Sequence, residues 1–461
     1  MSLQVDPPPT DVQPAPAPTM IFRLRYLIRV LIGTGTSGIA GRLATGSFWS
    51  FLIATSGAAL GFLVHYLLVR KLGPTEFGRY VYILGWVNAA AVLVKFEIDT
   101  VATRFVSSYH ALQKPQLMAG FLGWAGRRVV GASIGTALIA AGVLYLVLPH
   151  VAPALVAAAL VGCLILPVTS IQLFVQNCLQ GIKWIKAAYF PPQVLRPMLM
   201  LTAVLVASRL TTLTGARALW LNFATSTIAL TVGIAFLRRG MAGKLAYPPA
   251  HSTGEWIDTA AGLLPAALAQ LVLSQASDVL VVGTLLGPVE AGKYSVAGQI
   301  ASLAGYVMGP VASITAPLVA ELHARNDKKG LRQLMRLVAR VNLGIMLPIT
   351  LVVLLGGPFL LRLFGPVYAE AYPVLALLSL GMVSASVGGP ASFVLTMTGS
   401  HRDAARIIGA TAGFNLLLAL VLTPRFGAVG TASATLAATL VRNAWIIRVA
   451  QSRSGVSLMP W

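Results

Sequence analysis

The chain has 461 residues, 57% of them hydrophobic and only 10% charged, with a formal net charge of +21 and a mean hydropathy of +0.80. Soluble domains carry about 25% charged residues. A water-soluble core of this length cannot bury so much apolar surface, whereas lipid can, so the composition excludes a soluble globular protein and points to a membrane protein.

Residues 1–20 hold Pro7, Pro8, Pro9, Pro14, Pro16 and Pro18 with little apolar content, a composition that predicts disorder. Residues 21–32 read IFRLRYLIRVLI. Arginines among aliphatics predict a short basic amphipathic helix on the inner leaflet, and they interrupt the apolar run too often for a signal peptide. Gly33, Gly35 and Gly38 match the dinucleotide fingerprint, but no Asp or Glu occurs between Asp11 and Glu76 to hold a ribose.

From Ser47 onward, apolar stretches long enough to span a bilayer recur near 47–69, 80–101, 129–148, 152–174, 190–208, 218–237, 257–284, 295–319, 340–361, 371–397, 404–423 and 427–449. They exceed the length of barrel strands, so an all-α integral membrane protein of about twelve helices is expected. The expected organisation is a tail and amphipathic segment over 1–45, a six-helix bundle over 46–238, a cytoplasmic linker over 239–256, a second six-helix bundle over 257–450 and a tail over 451–461. With the N-terminus in the cytoplasm, Lys and Arg concentrate in tails and cytoplasmic loops, as at Arg325, Lys328, Lys329, Arg332 and Arg336. The basicity therefore reports topology, with both termini inside, and not nucleic acid.

One motif occurs twice. LGPTEFGRY at Leu72–Tyr80 and LGPVEAGKY at Leu286–Tyr294 are identical at six of nine positions and lie 214 positions apart. An even number of spans separates them, so both face the same side and the bundles have parallel topology about a pseudo-twofold axis. Gly181-Ile-Lys-Trp and Gly399-Ser-His-Arg form a weaker echo. The second copy nearly matches a phosphate-binding loop, but Tyr294 stands where Ser or Thr must hold magnesium, so a tight interhelical turn is expected instead. Glycine pairs at Gly57/Gly61, Gly131/Gly135 and Gly305/Gly309 permit close helix approach. Span prolines such as Pro167, Pro192, Pro197 and Pro265 favour kinks.

Cys163 and Cys178 read as packing residues, the six histidines form no metal pattern and no nucleophile elbow appears, so no enzyme, cofactor or metal is expected. The candidates for function are charges at membrane depth. Lys95, Glu97, Asp99 and Arg104 cluster near the inner end of the second span, with Lys95 and Asp99 placed to pair four apart and Glu97 directed elsewhere. Asp278, inside the seventh span near Gln275, could carry a proton or ligate sodium. Arg196, between Pro192 and Pro197, must face the interior or water, and its fork suits a phosphate. Arg128 and Arg406 could add to a cationic cavity, although flanking positions are also common for inside-positive residues. His65 reads as a packing histidine.

The stretch LVRKLGPTEFGRY ending at Tyr80, DTVATRF at Asp99–Phe105, SDVLVVGTLLGPVEAGKYS at Ser277–Ser295 and NLLLALVLTPRFGAVGTASAT at Asn415–Thr435 together resemble polysaccharide flippases of the Wzx type, in the MOP exporter superfamily. The resemblance implies two bundles around a central cavity, alternating access, and a polyprenyl-diphosphate-linked oligosaccharide carried across a bacterial inner membrane for surface or exopolysaccharide synthesis. It further implies a polysaccharide polymerase and export machinery as partners beside the lipid bilayer. On that reading Arg196, Arg104, Arg128 and Arg406 would meet the diphosphate, and Asp278, Glu97 and Asp99 would be the ion-coupling candidates. The acidic residues between Lys95 and Asp99 depart from the family's glycine-rich pattern there. A cation-coupled multidrug antiporter of the same superfamily and a non-transporting scaffold for polysaccharide assembly are the competing readings.

Overall fold

The computed structural model describes residues 39–151, 155–242, 247–306, 327–397 and 400–454, with isolated positions between 307 and 326. The proline-rich stretch 1–20, the amphipathic segment 21–32 and the end of the C-terminal tail lie outside the described residues. The described residues from Phe51 onward form one compact unit.

Among the described residues every regular element is helical. The first half comprises α1 (Ile39–Lys95), α2 (Ile98–Ala111), α3 (Pro115–Val151), α4 (Val156–Gly181), α5 (Ile185–Phe190), a π-helical turn at Pro191–Leu195, α6 (Arg196–Leu210) and α7 (Gly215–Gly240). The second comprises α8 (Thr253–Val272), α9 (Gln275–Leu286), α10 (Pro288–Tyr306), α11 (Lys328–Phe364), α12 (Tyr372–Met397), α13 (His401–Phe426) and α14 (Ala428–Ser454). Eight of these helices, or nine counting one bent pair, are long and apolar enough by themselves to cross a membrane. One of the eight, Thr55–Lys95, holds two of the twelve expected spans. These spans divide into two pseudo-symmetric six-helix bundles. In the first, α4 packs against α2, α3 and α7; in the second, α14 packs against α12 and α13.

The repeated motif folds identically in both halves. Gly73 has φ 72° and Gly287 φ 94°, a region costly to any residue with a Cβ. Pro74 and Pro288 follow, and Pro288 opens α10, where its fixed φ and missing N–H suit a helix start. The tight turn expected from the sequence is therefore present twice.

Two helix breaks differ from expectation. The second span ends at Lys95, not near 101, because Phe96 and Glu97 adopt φ 49° and 58° before α2 begins. The expected span 257–284 is two helices meeting at 56°. That break does not fall at Pro265 but at Leu273–Ser274, where the Ser274 hydroxyl accepts from the Ser277 N–H at 3.4 Å and caps α9.

The core has a polarity. At the end bearing the two turns, residues of both halves share one cluster, among them Leu68, Phe77 and Tyr80 with Val282, Tyr294 and Phe364. Towards the opposite end each half has its own core, around Phe105, Phe121 and Cys178 in one and around Leu331, Val394 and Ile447 in the other. The halves thus share one core at the turn end; at the other end their cores are distinct, and Trp256 and Ala260 of α8 pack into the first half's.

Candidate functional site

At the joined end, backbone meets backbone. A Cβ on Gly78 would collide with the Pro288 carbonyl, and one on Gly292 would lie 3.1 Å from the Gly78 Cα. These glycines occupy the same place in the two copies of the motif, so duplication created a self-complementary contact. One turn further along, the hydroxyls of Tyr82 and Thr284 are 3.1 Å apart. Of the GxxxG pairs with both residues described, Gly57/Gly61 and Gly131/Gly135, only Gly57 makes a close approach, against Gln193; Gly61, Gly131 and Gly135 have open space.

The acid of each motif is tied locally. Glu76 pairs with Arg79 at 2.5 Å and accepts from the Gly215 N–H at 2.6 Å, at the start of α7, where the helix dipole favours a carboxylate. Glu290 pairs with Lys293 at 2.8 Å, and Lys293 reaches Glu370 at 2.5 Å.

The motif tyrosines organise a polar cluster in each half. In the first, Asn222 of α7 donates to the Tyr80 hydroxyl at 2.9 Å, and Arg196 donates to the Asn222 carbonyl oxygen at 3.3 Å. Arg196 opens α6 directly after the π-helical turn. Pro192 and Pro197 deprive this stretch of backbone donors, and such turns often accompany functional positions. Among the described residues no carboxylate lies within ion-pair distance of Arg196. In the second half the Tyr294 hydroxyl donates to Asp278 Oδ2 at 2.8 Å and Thr435 of α14 donates to the same oxygen at 3.0 Å. Asp278 is buried in the first turn of α9, just past the break. It lines a cavity of about 160 Å³ with Gln275, Ser302, Thr435, Thr439 and Arg442.

The other sequence candidates fall elsewhere. Lys95 and Asp99 form the expected pair, 2.5 Å apart with side chains 7% and 6% exposed, although the helix breaks between them. Asn177 also donates to Asp99 at 3.4 Å, and Asp99 Oδ1 is buried without a partner. Glu97 sits in the break itself, half-exposed. Arg104 lies over the Phe105 ring at 5.7 Å and Arg128 over Trp124 at 5.5 Å, both exposed on one aromatic cluster with Phe121 and Trp256. Trp256 belongs to α8 yet is fully buried in the first half's core, where its indole donates to the Tyr109 hydroxyl at 2.9 Å. Arg406 is exposed on α13 beside a surface groove with Trp445 and Arg453, whose guanidinium pairs with Asp403 at 2.8 Å. His65 packs edge-on against Phe77. Cys163 and Cys178 are buried and free, and the described residues contain no cluster of metal-ligating side chains.

The sequence reading missed Arg442. Position 442 falls inside the expected span 427–449, which was signal enough. It also missed Asn222 and Thr435, polar residues whose partners lie 142 and 157 positions away and so leave no local trace.

The family described as "Polysaccharide biosynthesis protein" matches this chain over residues 43–323, more than half its length, and the family MatE matches over residues 265–421. Membrane protein EpsK of Bacillus subtilis, uncharacterized, is 27% identical over 170 residues, 36% of this chain and 34% of its own. An uncharacterized membrane protein of Methanocaldococcus jannaschii is 25% identical over 156 residues, 34% and 30% respectively. The chain thus spans about a third of the length of the curated relatives it matches. Among solved structures, an inward-facing multidrug resistance MATE family transporter of the MOP superfamily superposes with a TM-score of 0.73 at 13% identity, over 93% of this chain and 97% of that one. A MOP superfamily transporter from Pyrococcus furiosus, described by a binding pocket of reverse polarity, gives 0.60 at 13% identity over 92% and 98%.

Proposed function

The chain belongs to the polysaccharide biosynthesis protein family, and from that premise we propose that this MOP-superfamily membrane transporter is a flippase. Its substrate is a polyprenyl-diphosphate-linked oligosaccharide, carried outward across a bacterial inner membrane while the prenyl tail stays in lipid. The observation that carries this reading is Arg196. A guanidinium at membrane depth is costly unless paired, yet this one is held by a neutral amide, itself bonded to the Tyr80 phenol, and among the described residues it faces no carboxylate. It is a cation positioned for an anion from outside, and its planar fork matches a phosphate. Arg104, Arg128 and Arg406, all exposed, supply further positive charge for an anionic headgroup.

The positive-inside distribution puts the turn end outside and both termini in the cytoplasm. The shared core at the turn end then closes the path outward, while towards the cytoplasm the two cores are distinct and α8 bridges to the first half through Trp256. Transport proceeds as the bundles rock about the central site. Asp278 is the proposed carrier of the coupling proton or sodium ion. Asp99, already neutralised by Lys95, and Glu97, at the helix break, are weaker candidates for that role. The polysaccharide polymerase and export machinery would take the product.

The test is extraction and mass spectrometry of polyprenyl-linked oligosaccharides in a deletion strain. Inner-leaflet build-up of a complete repeat unit is expected, relieved by the wild-type chain and not by Arg196→Ala. Full relief by Arg196→Ala removes that residue from the mechanism. The MatE match favours one second reading, a cation-coupled multidrug antiporter. Increased sensitivity to cationic drugs, with no glycolipid build-up, would select it.

A further inference from the structure

Arg442 of α14 lies inside the expected span 427–449, seven residues and therefore about 10 Å from its cytoplasmic end at 1.5 Å per residue. A guanidinium at that depth needs a partner or an aqueous cavity. It lines the same cavity of about 160 Å³ as Asp278, and among the described residues these are the only two charged side chains in its wall. Among the described residues no carboxylate lies within ion-pair distance of Arg442. Asp278 accepts from two neutral hydroxyls on one oxygen, and the neutral side-chain amide of Asn415 also bonds to it.

The helix geometry links the two charges. Thr435, Thr439 and Arg442 follow the i, i+4, i+7 spacing of one helix face, and all three line the cavity. Thr435 is bonded to Asp278. Helical side chains lean towards the N-terminus of their helix, so the Arg442 side chain is directed back over Thr439 towards Thr435. The axial separation of Arg442 from Thr435 is about 10 Å, and a long guanidinium side chain covers most of that distance by changing rotamer. Hydroxyls of Ser302 and Thr439 line the way.

We infer that Arg442 is the built-in counter-cation of Asp278. When the carboxyl gives up its coupling proton or ion, the guanidinium swings onto it; when the cation returns, Arg442 is displaced into the cavity. External cation and guanidinium thus exclude one another, and the second half can pass through its cation-free step without an uncompensated carboxylate in the membrane. This inference rests on the reading of Asp278 as the coupling residue and names how that residue is regulated.

The test uses the full-length protein in lipid nanodiscs at one fixed pH. Dicyclohexylcarbodiimide, an apolar reagent for protonated carboxyls, is allowed to react, and the Asp278 peptide is quantified by mass spectrometry. Arg442→Gln should label about tenfold faster than wild type, as loss of a nearby opposite charge dictates, while Arg442→Lys should stay near the wild-type rate. Equal labelling of wild type and Arg442→Gln overturns the pairing. So does Arg442→Lys labelling as fast as Arg442→Gln, since a packing role would then suffice. Size-exclusion profiles identify a misfolded variant, and in that event the rate of Arg442→Lys against wild type decides alone: a rise of about tenfold despite the retained charge sinks the inference. Asp278→Asn is assayed separately for transport. Full activity there removes Asp278 from coupling whatever the labelling reports, so the two ideas fail by different observations.

Discussion

The two halves carry the same tyrosine in the same turn of the same motif, yet Tyr80 serves a cation cluster and Tyr294 an acid cluster. In the first half the phenol accepts from Asn222, which in turn holds Arg196. In the second it donates to Asp278. Duplication preserved what builds the helix pair, namely Gly–Pro turn, acid–base pair and tyrosine, and let the polar partner diverge. A symmetric scaffold thereby acquired a cation among neutral partners in one half and a buried acid in the other, the contrast on which the proposed flippase reading rests.

Removing the charge on either side breaks this contrast most severely. Arg196→Ala should lower glycolipid flipping about 10- to 100-fold in an inverted-vesicle assay, the cost of a lost charged hydrogen bond of ~1.5–3 kcal/mol, and Arg196→Lys should recover only part of it because the fork is gone. A wild-type rate for Arg196→Ala would erase the distinction between the halves.

Steric change at the joined end comes next. Gly78→Val puts a side chain where the Pro288 carbonyl lies, and overpacking of this kind costs about 1–3 kcal/mol. The contact at the turn end should loosen, which labelling of a cysteine engineered nearby with an impermeant reagent would report as increased access.

The tyrosines sharpen the comparison directly. Tyr294→Phe removes a bond to a carboxyl and should destabilise by about 1.5–3 kcal/mol, whereas Tyr80→Phe removes a neutral one and should cost about 0.5–1.5 kcal/mol. Thermal unfolding of the purified variants in detergent measures the difference, and equal losses would argue that the two clusters are energetically alike. At the small end, Gly61→Ala should change the unfolding midpoint by no more than about 0.5 kcal/mol equivalent, since open space surrounds Gly61, unlike the tightly packed Gly57 four residues earlier.

The sequence by itself determined the class of the protein, its helical architecture, its internal symmetry and the position of both interhelical turns. These follow from local physics: span length in a bilayer, the φ freedom of Gly73 and Gly287, the fixed φ of Pro74 and Pro288, and the i, i+4 reach of Lys95 to Asp99. It also flagged Arg196 and Asp278, because a charge in an apolar run is visible without a fold. Only the tertiary structure decided which groups those charges meet. Asn222 and Thr435 are brought to them, and Arg442 to the cavity of Asp278, across tens to more than a hundred positions, and such placements depend on helix packing, which spacing along the chain does not encode. The breaks at Phe96–Glu97 and Leu273–Ser274 were likewise decided by packing. Neither carries the Gly–Pro signal that announced the turns, and strained or interrupted helices persist only where the surrounding contacts hold them.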